Sequence, residues 1–242
     1  MRFLIFISVL NLLSLSGFSQ RFADQIPGIK RYTIDEAIDP KYGIKMYNKL
    51  VPSIGGDSVR YNNAGYNLQG WQEDYYMNGK LLHKGFYVDG QIKVFKNYYE
   101  SGQIERSIVV SDPARCSVDI YYPSGTVRTQ ILYFSGNAQN EYSFFPNGNK
   151  AAVIEKDKEA QIVYKENKFY EDGTPAKEFS LVDKKAKKYI EKEFYENGKV
   201  KTEGHISYKS ESKDYQKEGD WAYYNEKGQL IKKEKYKNGK LQ

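Results

Sequence analysis

Cysteine is almost missing from this chain. Cys116 is the single one in 242 residues, so no internal disulfide can form. In CSVDIYY it alternates with Val118, Ile120 and Tyr122, which predicts a thiol buried on an apolar strand face. Histidine is nearly as scarce. His83 and His205 stand at unrelated spacings and, with Cys116, supply too few ligands for a zinc site. They read as strand-face residues. No Walker loop, dinucleotide fingerprint or calcium loop is present. The sequence therefore assigns no metal site and no cofactor. A strong excess of one charge is lacking too. There are 37 Lys and Arg against 31 Asp and Glu, for a formal net charge of +6. The signs are interspersed, and no basic block or reader motif accompanies them, which argues against a nucleic-acid surface.

Long apolar runs are confined to the start. Arg2 is a charged n-region, Phe3 to Leu15 are mostly apolar, and Gly17-Phe18-Ser19 gives a small-x-small pattern. Residues 1–19 read as a signal peptide, with Gln20 as the mature N-terminus and an exported, periplasmic or secreted product. The run is too short to span a bilayer comfortably. No Cys follows the cleavage site, against a lipid anchor, and no second transmembrane run appears.

Tyrosine is abundant, with 23 Tyr beside 12 Phe. Seven times an aromatic pair, two further residues and a glycine recur: YYMNG, FYVDG, YYESG, YYPSG, FFPNG, FYEDG and FYENG. A degenerate copy, YYNEKGQL, follows. This is internal repetition. The principal glycines are Gly79, Gly102, Gly125, Gly148, Gly173 and Gly198, with Gly228 in the degenerate copy. Half-period turns fall at Gly90, Gly136 and Gly239. Asn78-Gly79, Asp89-Gly90, Asn147-Gly148, Asp172-Gly173, Asn197-Gly198 and Asn238-Gly239 are hairpin dipeptides suited to type I′ turns. The expected fold is all-β, an elongated meander of antiparallel hairpins over residues 70–242.

A two-residue turn at Asn78-Gly79 sets a register. Tyr76 faces Leu81, Tyr75 faces Leu82, Trp71 faces Phe86 and Glu73 faces Lys84. YYNEKGQL has one extra residue and suits a bulged three-residue loop. Because neighbouring strand residues point to opposite faces, each doublet places one ring per face. Tyr76, Tyr99, Tyr122, Phe145, Tyr170, Tyr195 and Tyr224 form one row; Tyr75, Tyr98, Tyr121, Phe144, Phe169, Phe194 and Tyr223 form the other. One row is expected to be a contact surface, with the first row as the candidate. Residues 20–69 lack the motif and read as a capping segment. Within it, Tyr42, Met46, Leu50 and Val51 would share one face of a short helix over 41–51, which Gly43 weakens.

These units resemble the bacterial variant of the MORN repeat, whose aromatic pair, turn, Gly and following apolar residue are matched in YYMNGKLL, YYESGQIE, FYENGKVK and YYNEKGQL. The resemblance covers roughly Gly70 to Gln242. It implies a repeat scaffold without catalytic residues. Relatives of this kind are similar to the YwqK group and are often labelled antitoxin components, which implies a cytoplasmic partner. Gly56-Asp57-Ser58-Val59 resembles the nucleophile block of GDS-type hydrolases. Those enzymes need an Asp three residues before a His, and Lys80 and Thr202 stand there instead; GGDS reads as a turn. The function expected is that of an exported, non-enzymatic scaffold for protein–protein interaction in the cell envelope. The alternatives are an envelope carbohydrate or peptidoglycan-binding module and an antitoxin-like inhibitor.

Overall fold

The computed structural model describes residues 31–39, 43–47 and 59–242. The expected signal peptide and the Gly56-Asp57-Ser58 turn lie outside the described residues. Four short elements come first: β1 (Arg31–Tyr32), α1 (Ile34–Ala37), β2 (Ile38–Asp39) and β3 (Gly43–Ile44). Thr33 starts α1 through a capping box with Glu36. β2 and β3 pair with each other. The helix expected over 41–51 is therefore not formed at Gly43 and Ile44. Glycine is a poor helix former, and the hairpin satisfies the backbone instead. Tyr42, Leu50 and Val51 lie outside the described residues.

The rest is a hairpin meander. Its first half comprises β4 (Gly70–Tyr76), β5 (Leu81–Val88), β6 (Gln91–Tyr98), β7 (Ile104–Asp112), β8 (Arg115–Tyr121) and β9 (Val127–Phe134). Its second comprises β10 (Asn137–Phe144), β11 (Lys150–Lys156), β12 (Val163–Phe169), β13 (Pro175–Asp183), β14 (Lys188–Phe194), β15 (Val200–Lys209), β16 (Asp214–Tyr224), β17 (Leu230–Lys237) and β18 (Lys240–Leu241). All lie in one sheet in chain order, with β1 added in parallel beside β4. At about 4.8 Å per strand, β4 to β17 extend roughly 60 Å along the sheet.

The principal turns differ from the expected two-residue form. Gly79 N–H donates to the Tyr76 carbonyl at 2.9 Å, and Tyr76 N–H donates to the Lys80 carbonyl at 2.8 Å. Three residues project, and Gly79 alone among them has a positive φ, +81°. The same pair of bonds recurs from Tyr99, Tyr122, Phe145, Tyr170, Tyr195 and Asn225. The Asn or Asp before the glycine has another task. The Oδ1 atoms of Asn78, Asn147, Asp172 and Asn197 accept the N–H of the residue two places on. Two-residue turns with both residues at positive φ do occur at the half period, at Asp89-Gly90, Ser135-Gly136 and Asn238-Gly239.

A register shift precedes each principal turn, as between Asp74 and Tyr75. Tyr75 consequently faces Leu81 rather than Leu82. Upstream of the shift, Trp71 faces Phe86 and Glu73 faces Lys84, as the sequence predicts. Lys84 Nζ lies 2.7 Å from the Glu73 carboxylate.

Ala37, Ile44 and Tyr47 pack on one face of the first half, against Tyr76, Leu82, Tyr87, Ile92, Phe95, Ile108, Cys116 and Val118. This is the covered face, and Cys116 is buried in it. On the same face of the second half, a smaller cluster joins Phe179, Tyr189, Ile206 and Trp221. Gly204 is required there: a Cβ would stand 2.3 Å from the Trp221 ring that lies across it.

Candidate functional site

The two aromatic rows do different work. In the first row, the Tyr76 hydroxyl donates to the Tyr98 carbonyl at 2.8 Å, one repeat further on. Tyr99 reaches Tyr121, Tyr122 reaches Phe144, Tyr170 reaches Phe194 and Tyr195 reaches Tyr224 in the same way. Phe145 occupies the equivalent rung without a hydroxyl. The row is a ladder that ties each hairpin pair to the next. Tyr224 is not a member of it. The extra residue in YYNEKGQL moves that doublet back by one, so Asn225 takes the ladder position and Tyr224 joins the row of Tyr75.

The second row lies on the opposite, open face. Each of its rings faces the residue that follows a principal turn: Tyr75 with Leu81, Tyr98 with Ile104, and Tyr121 with Val127. Phe169 faces Pro175, Phe194 faces Val200 and Tyr224 faces Leu230; Lys150 opposite Phe144 is the one polar interruption. An apolar stripe, broken at Lys150, therefore runs along the open face. Most of its members are half-buried.

In the first half a second line, apolar except at Ser117, lies parallel to the stripe. The register carries it from Trp71 through Phe86, Val94, Val109 and Ser117 to Leu132. Trp71 is 52% exposed and Leu132 45% exposed. Between the two lines run Glu73, Lys84, Lys96, Ser107, Asp119 and Gln130. Burial lowers the pKa of Lys96 and raises that of Asp119. Lys84 also lies 5.8 Å from the centre of the Trp71 ring. The result is a broad amphipathic platform with a rigid core beneath it.

The covered face holds a polar cluster that sequence reasoning missed. Asp74 is fully buried and takes two hydrogen bonds from Arg60, at 2.6 and 2.8 Å, and one from Tyr47 at 2.7 Å. His83 stacks on Tyr47 at 3.8 Å and lies within 2.8 Å of Asn97 and 2.9 Å of Tyr87. Burial pushes its pKa down to about 4. Burial also raises the Tyr47 hydroxyl, with Asp74 adding to the effect. No sequence pattern announces this cluster, because Tyr47, Arg60 and Asp74 come from three separate segments. It fastens the leading segment to the sheet. His205, in contrast, is exposed on β15. Among the described residues no group of three or more His, Cys, Asp or Glu is placed to hold a metal. Also among them, no helix is long and apolar enough to cross a membrane.

A single-sheet array of hairpin repeats is thus the class that the fold defines. The MORN repeat variant matches residues 190–208 and 217–242, which supports a MORN-type repeat protein. No curated protein matches the chain. Among solved structures, an S. aureus TarM mutant in complex with Fondaparinux, alpha-GlcNAc-glycerol and UDP aligns at 12% identity and a TM-score of 0.24, over 51% of this chain and 19% of that one. A second TarM structure aligns at 12% identity and 0.25, over 55% and 21%. A Bacteroides fragilis protein of unknown function aligns at 11% and 0.16, over 66% and 95%. The chain spans about a fifth of the TarM chains. Likenesses at these scores say nothing of its function.

Proposed function

We propose that this chain is an exported, non-enzymatic scaffold that holds a protein partner against the open face of its sheet, in the cell envelope. The observation that carries the reading is the amphipathic platform of the first half. There, two apolar lines with exposed Trp71 and Leu132 flank a polar line, on a face opposite the packed core. Broad, rigid, aromatic surfaces of this kind anchor protein partners, and Trp and Tyr dominate their energetics. The MORN-type repeat is compatible with such a role.

Crosslinking of the protein in cells, followed by mass spectrometry, tests it. Trp71→Ser combined with Leu132→Ser removes exposed apolar area without opening the core. The variant should keep its melting temperature and lose the crosslinked partner. Recovery of the same partner at wild-type yield overturns the platform. The same spectra should show a chain beginning near Gln20 in the envelope fraction. An intact Met1 in the cytoplasm overturns export and favours the antitoxin-like reading.

A further inference from the structure

The second half carries a basic ridge far from the platform. Three hairpin loops lie side by side on one long edge of the sheet, joining β11 to β12, β13 to β14 and β15 to β16. Their contacts prove the adjacency. Lys184 Nζ donates to the Tyr164 hydroxyl at 3.1 Å, Lys187 Nζ to Ser210 Oγ at 3.0 Å, and the Tyr208 N–H to the Lys187 carbonyl at 3.0 Å. Residues 183–188 read Asp-Lys-Lys-Ala-Lys-Lys, and Lys156, Lys158, Lys209 and Lys213 flank them.

Charge balance differs here from the strands. Along the strands, Lys177 pairs with Glu191 at 2.6 Å and Lys192 with Glu203 at 3.1 Å. At the loops, Asp157 accepts from the N–H groups of Gln161 and Ile162, and Asp183 from that of Ala186, while Asp157 and Glu159 also lie near enough to Lys184 to favour its charged form. Among the described residues, no carboxylate pairs with Lys156, Lys158, Lys185, Lys188 or Lys213. These amines are all lysine, point charges without the planar fork of arginine.

A hollow of about 650 Å³ opens on the same ridge, lined by Tyr208, Lys209, Ser210, Glu211, Ser212, Gln216 and Asn238. Hydroxyls and amides around a tyrosine ring are the groups that hydrogen-bond a polyol and pack against a sugar. The neighbouring amines, Lys187 above all, supply the counter-charge for an acid group. Lys187 Nζ lies 5.1 Å from the centre of the Tyr208 ring.

We propose that this ridge and hollow bind a carboxylate-bearing polysaccharide, one sugar seated in the hollow and its acidic neighbours along the lysines of the adjacent loops. The site shares no residue with the open-face platform and stands or falls separately from it.

Titration calorimetry of the full chain with an oligogalacturonate tests the proposal at physiological ionic strength. The oligogalacturonate should bind, and its methyl ester should bind far more weakly. Replacing Lys184, Lys185, Lys187 and Lys188 together by Gln should weaken binding about tenfold, the sum of four exposed ion pairs. Ser212→Ala with Gln216→Ala should also weaken it, at unchanged melting temperature. Trp71→Ser should leave it intact. Three results overturn the proposal: no binding of the oligogalacturonate, polyglutamate binding as tightly and competing with it, or full binding by the Ser212 and Gln216 variant. The second would make the ridge a docking strip for acidic polypeptide.

Discussion

The first and second halves of the sheet are built from the same hairpin, yet they are held differently. In β4 to β9 the leading segment covers one face, and the core contains fully buried Tyr76, Leu82, Tyr87, Phe95 and Ile108. In β10 to β17 few side chains are fully buried, and cross-strand Lys–Glu pairs occupy both faces. The repeat alone therefore makes a sheet but not a core. Cover by a non-repeated segment is what converts one face into an interior, and with it come buried ionic groups that the second half does not have.

The largest expected effect breaks that difference directly. Asp74→Ala leaves Arg60 and the Tyr47 hydroxyl without their buried partner, which should cost about 3–5 kcal/mol. Glu191→Ala removes the partner of Lys177 at a comparable distance, 2.6 Å, but both of these side chains keep some contact with water, at 30% and 13% exposure. That loss should stay within about 1 kcal/mol. Urea unfolding of the two variants measures both. Equal costs would mean that the cover contributes no special environment.

Acid sharpens the same contrast. His83 has its folded pKa lowered to about 4, from an ordinary value near 6.5, by burial. The unfolded chain therefore binds more protons in that window. Stability from this residue is complete above pH 6.5 and declines as the pH falls towards 4, by roughly 3 kcal/mol. The charged groups facing His83 are Asp74, which favours its protonation, and Arg60, which opposes it. Glu105 in the same core acts in the opposite sense, because burial raises its pKa. Unfolding at pH 7 and pH 5, with the His83 imidazole followed by NMR, should show a neutral ring and a weaker fold at the lower pH. A ring that protonates at pH 6 without loss of stability would contradict the burial.

Much of this fold was legible because the repeat states its own period. The doublets, the glycines and the Trp71–Phe86 and Glu73–Lys84 pairs all follow from side-chain alternation. The loop type was not legible. Asn-Gly fits a type I′ turn as well as the three-residue loop, and the choice depends on the register shift before it. The row assignment failed at Tyr224 for a related reason: counting back from the aromatic pair gives one answer, and counting back from Gly228 gives another. The glycine sets the geometry, so the second count holds. The buried cluster of Asp74, Arg60, Tyr47 and His83 was invisible, because nothing in the sequence brings those residues together before the chain folds.

The smallest effect tests whether the halves share anything energetically. The tyrosine ladder is indifferent to cover. Tyr99 in the first half donates to the Tyr121 carbonyl at 3.0 Å, and Tyr195 in the second donates to Tyr224 at 2.8 Å. Each bond ends on backbone of the next repeat, so each should contribute about 0.5–1.5 kcal/mol. Tyr99→Phe and Tyr195→Phe keep the ring and remove the hydroxyl. Phe145 shows that a rung can lack its bond without breaking the meander. The two variants should therefore fold normally and lose similar, modest stability, and the reciprocal change, Phe145→Tyr, should gain a comparable amount by reaching the next repeat. A large loss at Tyr99 with none at Tyr195 would show that the ladder matters only where the core already holds the sheet.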